Sequence, residues 1–71
     1  MTRDELIADV HQAIKLAEHA DNAWQYALDR EGVDRYSLKA RFDERFKQLY
    51  TAKLAADVRA HEAHDALRRV A

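Results

Sequence analysis

Two histidines one helical turn apart, in His61-Glu62-Ala63-His64-Asp65, are the side chains of this 71-residue chain best spaced for metal chemistry. Asp57 lies one turn before His61, so Asp57, His61 and His64 share a helix flank. A neighbouring antiparallel helix could add Asp9 or Glu5 and complete an N2O2 set suited to zinc. The spacing does not single out a site: it is not the His-Glu-x-x-His pattern of zinc proteases, and Glu62 projects away from the two histidines. Solvated histidines balanced by nearby carboxylates explain the same residues, so no metal and no other cofactor is expected. Protonating all four histidines in mild acid would carry the net charge from −1 to about +3 and could weaken an assembly.

Other reaction centres are missing from the sequence. There is no cysteine nucleophile, and one glycine cannot build a phosphate loop. The hydroxyls of Thr2 and Ser37 stand where helix caps are needed. No Glu-x-x-His sits on an apolar helix face, as a di-iron bundle would require. The chain is therefore expected not to be an enzyme.

Residues 35–53 carry six basic and two acidic side chains, with aromatics interleaved: Arg35, Tyr36, Lys39, Arg41, Phe42, Arg45, Phe46 and Lys47. Arg35, Lys39, Arg41, Arg45 and Lys47 are the candidate nucleic-acid contacts. Three features argue against that use. Phe42 and Phe46 fall on the apolar seam, Asp43 and Glu44 interrupt the run, and the isoelectric point is about 6.4. Residues 1–34 hold eight acidic and three basic side chains, so pairing with Glu18, Asp21, Asp29 and Glu31 accounts for the basic run without a polyanion.

These side chains are positioned by helices. The chain has no proline, a single glycine and 14 alanines, a composition that favours helix almost throughout. Thr2 and Glu5 form a capping box, predicting helix over about 3–31. Leu6, Val10, Ala13, Ala17, Ala20, Trp24 and Ala27 recur in 4-3 spacing, with Ile7, Ile14 and Leu28 widening the stripe. Gly32 ends the helix, a turn occupies 32–34, and Asp34, preferred over Ser37 as cap, opens a second helix over about 35–70. Its seam runs Leu38, Phe42, Phe46, Leu49, Ala56, Ala60, Ala63, Leu67 and Val70, interrupted at Lys53, whose stem can snorkel.

The expected fold is all-α: one domain over 1–71, an antiparallel two-helix hairpin. Two helices of this length leave the apolar stripe half wet, and with no disulfide the remaining route to stability is assembly, most simply a homodimeric four-helix bundle or a higher oligomer. The two helices, the tight turn at Gly32 and the small-residue seam resemble the architecture of the small plasmid-encoded RNA-binding helical hairpins of the Rop type. That resemblance extends to architecture and carries no binding residue with it.

Leu54 and Val58 lie about 150° to 170° from the stripe centre, with Ala40 on the same side, and Tyr26 points nearly opposite the first seam. Tyr26, Tyr36, Tyr50, Leu54 and Val58, ringed by Arg and Lys, have the composition of interface anchors, with Tyr36 and Tyr50 equally able to complete the core. The leading expectation is a non-catalytic interaction protein, a phage or mobile-element modulator that binds a host protein. The second is a nucleic-acid-binding regulator. A cytoplasmic location without membrane contact is expected from the lack of any long apolar run.

Overall fold

The computed structural model describes residues 1–70, and within them three α-helices follow in chain order: α1 (Arg3–Glu31), α2 (Leu38–Phe42) and α3 (Glu44–Val70). No strand is present among the described residues. At the start of α1 the Thr2 hydroxyl accepts the Glu5 N–H at 3.2 Å while the Glu5 carboxylate accepts the Thr2 N–H at 3.4 Å, closing the capping box. Gly32, at φ 65° and ψ 33°, ends α1. Its N–H donates to Asp29 O at 3.2 Å, and the Val33 N–H reaches Leu28 O at 3.0 Å, so the last carbonyls are satisfied by a left-handed cap.

The single helix expected over 35–70 is corrected to two. Asp43 adopts ψ 136°, which ends α2, while its carbonyl accepts the N–H groups of Phe46 and Lys47 at 2.9 Å and begins α3. Its carboxylate accepts the Arg45 N–H at 2.9 Å, as an N-cap does. The cap of α2 is Ser37, whose hydroxyl accepts the Ala40 N–H at 3.2 Å; Asp34 instead accepts the Tyr36 N–H in the preceding turn.

This break changes which residues are inside. In one continuous helix Ala40 would stand about 120° from Phe46 and face away from the core. With the phase reset at Asp43, Ala40 is fully buried at 0% exposure. Leu38 and Phe42 are each two residues from Ala40, about 200° round the helix, and so both turn to solvent instead of continuing the seam.

Two clusters hold α1 against α3. Trp24, Leu28, Ala40 and Phe46 form one, flanked by Ala27, Val33, Leu49 and Tyr50; Val10, Ala13 and Ala63 form the other, flanked by Ile14, Ala60 and Leu67. The first half of α1 thus lies along the end of α3, and the end of α1 lies along α2 and the start of α3. Packing is bulky at the turn end and close at the other, where Ala13 faces Ala63. Lys53 fills its place in the seam by its stem, with Nζ bound to Asp57 at 2.7 Å and 3.8 Å from Asp21. The molecule measures 44 × 16 × 16 Å.

Candidate interaction surface

The turn end carries the densest exposed apolar surface. Tyr36 is 78% exposed, Leu38 71% and Phe42 67%, all within seven residues of chain. Leu38 and Phe42 are one turn apart on the outer side of α2. Ala40 anchors this unit from beneath: its side chain is in the core and its carbonyl accepts the Trp24 Nε1–H at 3.0 Å. Arg35 is held between rings, its guanidinium 5.7 Å from Trp24 and 5.5 Å from Tyr36, with Asp21 at 3.7 Å. The exposed side chains are therefore presented by a fixed support.

The five proposed partner anchors do not form one patch. Tyr50 packs on the core, its ring 5.1 Å from Trp24 at 47°, so it supports the fold rather than the surface. Leu54 and Val58 are exposed on the outer side of α3, and Tyr26 is exposed on the outer side of α1 beneath Arg30 at 5.9 Å. Val58 and Tyr26 stand nearly opposite the buried seams of their own helices, and Leu54 lies about 130° from the α3 seam, which places Tyr26 on the other surface of the molecule from Leu54 and Val58. Tyr36 belongs to the turn end. Sequence periodicity alone missed Leu38 and Phe42 as surface residues; the signal that could have found them is the Asp43-Glu44 pair, which has the composition of a helix start.

The basic candidates divide in the same way. Arg45 is engaged twice, with Asp43 at 3.2 Å and Glu31 at 3.1 Å, and the hydrogen bonds from Arg45 hold the Asp43 carboxyl below its ordinary value while raising the guanidinium's own. Arg35 is taken up by Asp21 and the two rings. Lys39, Arg41 and Lys47 make no ion pair among the described residues; Arg41 lies 5.8 Å over the Tyr50 ring, and Lys39 acts on Asp43 only as its smallest electrostatic influence.

The weak metal candidate is not assembled. Asp57, His61 and His64 line a shallow recess with Ala60, but Asp57 is bound to Lys53, and of the two residues offered from α1, Asp9 is bound to Arg59 at 2.6 Å and Glu5 is engaged in the capping box with Thr2. That hydrogen bond raises the Arg59 pKa. No group of three potential ligands that could hold a metal ion occurs among the described residues.

The two flanks between α1 and α3 differ in character. One carries the Arg35–Asp21–Lys53–Asp57 chain of charges. The other bears ion pairs at its ends, Asp9–Arg59 and Glu31–Arg45. Between these, helical register places Leu16, Ala20, Ala23 and Ala27 of α1 beside Gln48, Ala52 and Ala56 of α3, a neutral strip about three turns long. Leu16 and Ala52 are exposed there and the remaining alanines half-buried.

No helix of the described residues is long and apolar enough to cross a membrane. No family model matches the chain, and neither a curated protein nor a solved structure matches it.

Proposed function

We propose that this chain is a non-catalytic interaction protein, folded as an antiparallel helical hairpin, in which two copies associate into a four-helix bundle and hold a partner protein on the outer surface of α3. The observation that carries the reading is surface area. The chain exposes 5388 Å². A globular protein of its 8.3 kDa mass exposes about 4600 Å², leaving an excess of about 800 Å². That excess is about one partner's share of a standard protein interface.

The neutral flank supplies a surface of the required kind. Alanines let helix axes approach closely, Leu16 projects from one end of the strip, and no charge interrupts it between the two ion pairs, so a second copy can lie face to face on it. Leu54 and Val58 then remain outside the bundle as an apolar ridge for a partner protein.

Single cysteines test the assembly in a chain that has none of its own. Ala23→Cys is expected to oxidise to a disulfide-linked dimer at low protein concentration, whereas Leu54→Cys stays reduced. Efficient cross-linking through Cys at 54 but not at 23 contradicts the assigned flank. Replacing Leu54 and Val58 together by Asp is expected to leave helicity and self-association unchanged while abolishing capture of a partner protein; unchanged capture contradicts the ridge.

A further inference from the structure

We infer that the α2 end of the molecule binds single-stranded nucleic acid, with Tyr36 and Phe42 as stacking surfaces and Lys39, Arg41 and Lys47 as phosphate contacts. This goes beyond the protein–protein reading and uses a different surface.

The inference begins with the phase change at Asp43. A Phe42 buried on a seam cannot stack on a base; the observed Phe42 is two-thirds exposed, one turn from Leu38, with the still more exposed Tyr36 at the entrance to the same short helix. Every nucleobase has a flat face that stacks on such rings, and each stacked base contributes enough to be felt as a large loss of affinity on truncation to alanine.

Charge is the second component. Of the five basic candidates, two are consumed inside the molecule: Arg45 by Asp43 and Glu31, and Arg35 by Asp21 and the rings of Trp24 and Tyr36. The other three, Lys39, Arg41 and Lys47, follow at intervals along α2 and the first turn of α3 with no ion-pair partner among the described residues. Asp43 is paired with Arg45, and Asp34, whose carboxylate accepts the Tyr36 N–H at 3.1 Å and keeps its charge, stands before α2, which leaves Glu44 as the negative charge within α2 and the first turn of α3. Unpaired cations beside open aromatic rings are what a flexible polyanion with stacking bases requires.

The same composition fits other partners less well. The buried centre of a protein interface is depleted in lysine, yet here Lys39 borders Leu38 and Phe42 on one flank of α2, with Arg41 on the other. A duplex offers its bases only in the grooves, and α2, with five residues, is too short to serve as a recognition helix. Unpaired bases need neither a groove nor a long helix.

The test uses fluorescence anisotropy of labelled oligouridine RNA and oligothymidine DNA about twelve nucleotides long, with a duplex of equal length as comparison. The parent is expected to bind one or both single strands and to prefer them to the duplex; the preference between RNA and DNA identifies the source. Three phosphate contacts predict an affinity about 20-fold weaker at 200 mM than at 50 mM salt. Phe42→Ala should weaken binding roughly tenfold. Lys39→Glu with Arg41→Glu should abolish it, and Leu54→Ala should change nothing. Phe42, Lys39 and Arg41 are exposed, and circular dichroism of each variant verifies its fold. Absence of binding to both strands, equal binding of the duplex, or binding unaffected by Phe42→Ala overturns the inference.

Discussion

The Trp24 indole donates its N–H to the Ala40 carbonyl while its ring packs 5.1 Å from Tyr50 and lies within 6 Å of the cationic groups of Arg35 and Lys53. One side chain thus ties α1 to α2, α3 and the intervening turn. Trp24→Phe keeps most of the apolar contact but leaves the buried Ala40 carbonyl unpaired, which should cost about 1 to 3 kcal/mol in urea unfolding. Gly32 offers a cleaner case: a Cβ added there would meet nothing within 4 Å, so Gly32→Ala bears only the backbone penalty of φ 65°. A loss of about 1 kcal/mol is expected from that conformation alone. Both features illustrate what sequence can and cannot specify. Gly32 and the Thr2–Glu5 box were legible because the motif and its structural role are local. The Trp24–Ala40 bond was not, because it joins residues sixteen apart through a turn whose geometry depends on Asp34 and Ser37 together.

At the scale of the element, Asp43 governs the junction between α2 and α3. Its pKa is lowered chiefly by the Arg45 side-chain hydrogen bond and then by the Arg45 N–H. A carboxyl whose folded pKa lies below its unfolded value stabilises the fold above the unfolded pKa and loses that contribution as pH falls through the folded one. Acidification from just above the ordinary 3.8 downward should therefore loosen the start of α3 in the parent. Asp43→Asn, which retains a capping oxygen without the ionisable group, should lose less stability over that window. Thermal melts of the two proteins as a function of pH measure the difference, and parallel curves would contradict the role given to the Asp43 charge. The same junction explains the limits of the periodicity argument. A 4-3 seam drawn through Leu38, Phe42 and Phe46 assumes one helical phase, and Asp43 read only as an interruption of basic charge conceals the reset that buries Ala40 and exposes its neighbours. In α1, where no break occurs, the seam through Leu6, Val10, Ala13 and Trp24 coincides with the buried side. At the close-packed end, Ala13→Leu would drive α1 from Ala63 and should destabilise by about 1 to 3 kcal/mol.

For the whole molecule, the governing fact is a 44 Å length spread over helices that cover one another on one side only. Composition and helix length predict a shortage of burial, since both follow from residue counts; which flank the proposed second copy would cover depends on where ion pairs form, and side-chain pairing across helices leaves little trace in a single sequence. The Asp9–Arg59 and Glu31–Arg45 pairs bound a neutral strip, whereas Asp21, Lys53 and Asp57 charge the opposite flank. Sedimentation equilibrium of the parent protein across roughly 1 to 100 µM, a range that resolves the weaker associations formed by interfaces of standard size, measures the outcome directly. The account predicts a concentration-dependent shift from one chain to two, displaced toward one chain by Leu16→Glu. A parent that sediments as a single chain throughout that range would contradict it.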